Sequence, residues 1–230
     1  MQNSKYSKVL TIVLIIIVIL IIGLLIFWGV STLKKKSVET DADDGISAFK
    51  NHIASENNNT NIIGNNATIN NPYGNNIINE DNIITNETGN GGSSDGKMLY
   101  KGFPMLGYIE IPKTNIKYPV LEDASKQALE TSVAVLVGPG LNKVGNTVIV
   151  GHNFRNGTFF SDNAKLTIGD KIYITDETGQ TLTYSIYKKY QTTPEDADYA
   201  TRDTQGGKEI TLSTCTDDSG ARIVIWAKAE

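Results

Sequence analysis

The chain has 230 residues with 21 basic and 25 acidic side chains, 2 histidines and one cysteine. That inventory excludes an intrachain disulfide, a multi-cysteine zinc site and a His-rich metal centre. Charge is nearly balanced, with 7 basic against 9 acidic residues up to position 97 and 14 against 16 beyond it, so no strong basic face exists to bind nucleic acid.

Apolar residues crowd into Val9 to Val30, thin out, and return at about Met98. Residues 9–30 (VLTIVLIIIVILIIGLLIFWGV) carry no charge. At about 1.5 Å per residue they span the roughly 30 Å hydrocarbon core of a bilayer. The apolar run is too long for a cleaved signal peptide, and Phe27 and Trp28 lead into a lysine run instead of small residues, so the segment reads as an uncleaved signal anchor after a tail at 1–8. Lys5 and Lys8 nearly balance Lys34, Lys35 and Lys36, and the positive-inside count leaves orientation open.

Residues 31–97 read as an Asn-rich disordered linker, with 15 asparagines between Asn51 and Asn90. As a coil, about 60 residues would span roughly 40 to 45 Å and act as a flexible tether. The echoes Asn61-Ile62-Ile63, Asn76-Ile77-Ile78 and Asn82-Ile83-Ile84 have no fixed period, and His52 reads as a solvated bystander.

Residues 98–230 are long enough to fold alone. Short strands are expected at Leu106 to Ile111, Ile116 to Val120, Thr147 to Val150, Lys171 to Asp176, Thr181 to Tyr190, Glu209 to Cys215 and Arg222 to Ala227, a spacing that favours an all-β barrel or sandwich. Glu177-Thr178-Gly179-Gln180 makes a hairpin, Ser125 caps a short helical patch through Glu130, and Pro194-Glu195-Asp196 has the form of a helix first turn.

Few residues in this part carry chemistry. Cys215 ends one apolar strand and His152 ends another, each just before a polar loop, where a group is held rigidly yet stays reachable. A thiolate nucleophile needs a neighbouring base or cation, and histidine is the common one. The competing reading is a buried cysteine packing as a small hydrophobe beside a structural histidine. Arg222 opens the last strand; if that strand pairs antiparallel with the Cys215 strand, the two residues face each other and the guanidinium can stabilise an oxyanion. Arg155 and Arg202 read as solvated charges.

Thr211-Leu212-Ser213-Thr214-Cys215 resembles the TLxTC motif of sortases, the cysteine transpeptidases of the Gram-positive surface, and Gly145 to Asn153 (GNTVIVGHN) resembles their histidine strand. The resemblance runs through Gly107 to Pro112, Ile116 to Val120, Leu166 to Asp170 and the arginine strand. It implies an eight-stranded β-barrel, an amino terminus inside the cell and a catalytic domain outside. It further implies that Cys215 cleaves an LPxTG-like sorting signal between Thr and Gly, with His152 as acid and base and Arg222 at the oxyanion. Thr214 would touch the sorting signal or the oxyanion. The thioacyl enzyme would pass to an amine of a peptidoglycan precursor or a pilin, with no cofactor.

The resemblance leans toward a housekeeping or class D type, with Asn71-Pro72-Tyr73 a faint echo of a lid motif. Glu195, Asp196 and Asp198 read as solvated acids and not as an obligatory calcium site, and Asp217 and Asp218 either as a solvated turn or as a selector of a cationic acceptor. Two other readings stay open: a membrane-tethered cysteine hydrolase with the same residues, and a non-enzymatic surface β-domain in which Cys215 is merely buried.

Overall fold

A computed structural model of the chain describes residues 3–65 and 97–230. Helix α1 spans Asn3–Asn65; strands β1 (Leu99–Tyr100), β2 (Phe103–Ile111) and β3 (Ile116–Leu121) lead to helix α2 (Lys126–Thr131). Strands β4 (Val133–Val137), β5 (Gly145–Val150), β6 (Lys171–Asp176), β7 (Thr181–Thr192), β8 (Lys208–Cys215) and β9 (Arg222–Ala229) complete the fold. The strand order is β1-β2-β3-β4-β5-β8-β9-β7-β6, and β6 pairs back onto β2, closing β2 to β9 into an eight-stranded barrel that β1 extends at one edge. Closure removes the unpaired edges that an open sheet of this length would expose.

Seven of the eight barrel strands fall where alternation and turn residues place them. The eighth, Val133–Val137, is a continuous apolar run too short for periodicity to classify. It pairs parallel to β3 and antiparallel to β5. The barrel interior is filled by alternate residues of the strands, among them Ile109, Tyr118, Ile149, Ile174, Leu212 and Ile225, all buried. Ser125 caps α2 by accepting from the Ala128 amide, as expected. Pro194 to Asp196 forms a turn, and the nearby helical element is a 3-10 turn at Asp198–Ala200.

The linker departs from expectation. Residues 31–65 continue α1, and the expected disorder there is corrected; residues 66–96, with the later Ile-Ile echoes and Asn71-Pro72-Tyr73, lie outside the described residues. Val38, Ala42, Ile46, Phe49 and Ile53 recur every three or four residues and pack on the barrel, with Ala42, Ile46 and Phe49 buried. Phe49 meets the Tyr108 ring edge-on at 6.3 Å. Gly45 lets the Tyr100 ring close in, since a Cβ there would stand 2.4 Å from a ring carbon. Asp41 and Asp43 pair with Lys101 and Lys117 at 2.6 and 3.3 Å, exposed ion pairs that align the helix more than they hold it. The stripe is sparse, five apolar positions among polar ones, and composition alone hides it. In the apolar stretch from Leu10 to Val30 the large side chains are exposed on every face of α1, the pattern of a helix that lipid covers.

Candidate active site

Three neighbouring strands bring the site together at one rim of the barrel. β8 and β9 are antiparallel with Cys215 opposite Arg222, as the hairpin reading requires. Directly opposed residues point to the same side of a sheet, so the thiol and the guanidinium share a face. β5 runs parallel to β8, with Val148 beside Thr211 and Val150 beside Ser213. The pairing ends at Val150, and the Gly151 amide still donates to the Ser213 carbonyl at 3.3 Å, which carries the chain on toward His152 along the edge of β8. All three side chains are half-buried.

Their supports come from different parts of the chain. Thr214 points to the opposite face, is buried, and donates its hydroxyl to the Gly151 carbonyl at 2.7 Å. It therefore fixes the residue before His152. Asn153 donates from Nδ2 to the Cys215 carbonyl at 3.1 Å and to Asp217 Oδ1 at 2.8 Å, tying the loop after β5 to the loop after β8. Arg155 is exposed, as expected, and donates to Ser219 Oγ at 2.8 Å across the same two loops. The His152 ring lies against Phe154 at 4.8 Å. Its Nε2 is shielded from solvent with no hydrogen bond among the described residues, and Glu130 Oε1 of α2 stands 3.6 Å away. The Arg222 Nε donates to the Pro194 carbonyl at 3.3 Å, which anchors the stem of the side chain.

The acids resolve into turn chemistry. Asp217 holds Asn153, and Asp218 accepts from Thr216 Oγ1 at 2.5 Å and from the Gly220 amide, bonds that hold its carboxyl below the usual range. Asp196 accepts from Thr192 and from the Asp198 amide, which likewise lowers its carboxyl. Among the described residues no three His, Cys, Asp or Glu side chains converge as a metal site would require.

Beneath the rim, on the same face as Cys215, lies a polar layer that residue type alone does not reveal. Arg202, expected to be solvated, is only 10% exposed and pairs with Glu209. It also donates to Asn146 Oδ1 at 3.0 Å and stacks over Trp226 at 4.5 Å. Burial, and then a hydrogen bond to Glu209, pushes the Tyr187 phenol up to about 12. Glu130, Asn153 and Arg202 were the residues sequence reasoning missed. Only Asn153 had a visible signal, its place directly after the histidine.

The arrangement is a cysteine with histidine and arginine at the open rim of a closed β-barrel. A family model described as Sortase domain matches residues 109–230. The match covers more than half of the chain, which belongs to the sortase family. Sortase A of Bacillus anthracis is 32% identical over 124 residues, covering 53% of this chain and 58% of that protein. Sortase A of Streptococcus agalactiae is 27% identical over 134 residues, 55% of this chain and 53% of that one. The match thus spans little more than half the length of these curated relatives. Among solved structures, sortase A from Corynebacterium diphtheriae superposes with a TM-score of 0.51 at 28% identity, covering 56% of this chain and 61% of that one. Clostridium perfringens sortase C with its C-terminal cell wall sorting motif superposes at 0.50 and 27% identity, covering 55% and 70%.

Proposed function

We propose that this chain is a single-pass membrane cysteine transpeptidase that anchors surface proteins bearing an LPxTG-like sorting signal. The observation that supports the reading is the pairing of Cys215 with Arg222 across β8 and β9, with the residue before His152 bonded to the same strand through Ser213 and Thr214. Family membership and the solved sortase C with a sorting motif support a peptide substrate at this rim.

In this reading the Cys215 thiolate attacks the Thr carbonyl carbon, and its electron pair moves onto oxygen. Arg222, beside the thiol, stabilises that oxyanion. Collapse breaks the Thr–Gly C–N bond, and protonated His152 gives its proton to the departing Gly amine, leaving a thioester on Cys215. An incoming amine, on a peptidoglycan precursor or a pilin, attacks the thioester and loses its proton to His152. The Cys215 thiolate leaves, and the new amide is complete. The amino terminus lies in the cytoplasm and the barrel outside. Asn153 acts by holding the Cys215 carbonyl and Thr214 by holding the Gly151 carbonyl, one residue before His152.

The test is to incubate the full chain in detergent micelles with an LPxTG-type peptide, with and without a short amine, and to follow products and the Cys215 adduct by mass spectrometry. The expected result is a Cys215 thioester and an amine-dependent ligated product. Hydrolysed peptide alone in both arms would overturn transpeptidation, and a native thiol that resists alkylation until unfolding would overturn the nucleophile.

A further inference from the structure

The docked part of α1 has a direction. At its membrane side Lys35 lies beside the loop after β5, where a Cβ added to Gly157 would stand 2.7 Å from Lys35 Nζ. Eighteen residues on, Ile53 lies beside the β6–β7 hairpin, where a Cβ added to Gly179 would stand 3.2 Å from its methyl group. Gly157 belongs to the loop that begins with His152 and Asn153, at the Cys215 rim. Gly179 precedes β7, whose far end pairs Thr192 with Arg222, so Gly179 marks the opposite rim. Two lengths agree on the separation. Eighteen helical residues rise about 27 Å. The twelve residues of β7 extend about 40 Å and, tilted as barrel strands are, cover roughly 30 Å of barrel axis.

Val30 ends the uncharged stretch and Lys35 follows five residues later in the same helix, a rise of about 7.5 Å. That is the thickness of one headgroup layer, about 5 to 8 Å. We infer that α1 is a strut that holds the Cys215 rim against the membrane surface and the β6–β7 hairpin away from it, so that the enzyme takes polypeptides presented at the bilayer. Phe154, 40% exposed on that rim, suits the interface. The inference rests on the membrane-anchored reading above and replaces the freedom of a flexible tether with one fixed height and orientation.

The test uses the full chain with Cys215→Ala, reconstituted in phosphatidylcholine vesicles that contain a lipid with a nitroxide on its headgroup. A fluorophore is attached to Asn156→Cys at the near rim or to Glu177→Cys at the far hairpin. Flotation with the vesicles is measured first; a chain that does not float overturns the anchor and with it the strut. In floating protein the expected result is strong quenching at position 156 and little at 177. Equal quenching at both positions, or the reverse order, overturns the strut and leaves the anchor standing. A second variant inserts seven helix-forming residues after Leu33, lifting the barrel by about 10 Å with the docking face preserved. With Cys215 restored, turnover of a lipid-tethered LPxTG-type peptide should fall by about tenfold or more, while that of the soluble peptide stays unchanged. An equal effect on both peptides, or on neither, overturns the proposal.

Discussion

Replacing Phe49 by Ala tests whether residues 31–65 are part of the folded domain. The side chain is 2% exposed and packs with Ile46, Tyr100, Met105 and Tyr108. A Phe→Ala change in a core costs about 3 to 5 kcal/mol. The lower figure applies because a helix resting on a sheet can settle toward it. At about 1.4 kcal/mol per decade, a loss of about 3 kcal/mol is roughly a hundredfold in the opening equilibrium. Hydrogen exchange of the full chain in micelles reads this directly. Amides from Lys36 to Glu56 should exchange roughly a hundredfold faster in Phe49→Ala, while those of β8 and β9 keep their wild-type rates. Wild-type exchange in this stretch at the rate of an unstructured chain, or a change of less than about threefold, would refute the docked helix.

Cys215→Ala should abolish the thioester, checked by mass spectrometry after mixing with peptide; an adduct in this variant would refute the nucleophile. Arg222→Lys keeps the charge but loses the planar fork, and kcat should drop by about 10²- to 10³-fold with the fold unchanged by circular dichroism. Asn153→Ala removes the bonds to the Cys215 carbonyl and Asp217, and kcat/KM should fall about ten- to a hundredfold, with faster exchange in the loop after β8. Arg202→Met leaves Glu209 buried without its partner and should cost about 3 to 5 kcal/mol in urea unfolding.

Strand positions were legible in residues 98–230 because each barrel strand has one face inside, so apolar residues alternate and turn residues separate them. Val133–Val137 escaped because it is apolar throughout. Cys215 and His152 were legible as strand ends, and the β8–β9 hairpin placed Arg222. The parallel β5–β8 pairing, which unites the site, has no local turn to announce it. Asn153, Glu130 and Arg202 act through partners on other elements, and their residue types alone fit a solvated surface equally well. The docking stripe of α1 was hidden by averaging, since its five apolar positions sit among Asp, Glu, Lys and Asn.

The Thr214–Gly151 clasp joins residues 63 positions apart across parallel strands. The segment between them carries β6 and β7, which pair with each other and with other strands, so the clasp closes a long loop of chain. A chain whose β8 has not yet paired with β5 therefore lacks the bond that seats the residue before His152. The geometry around Cys215 and His152 is therefore a property of the closed barrel and not of either segment alone.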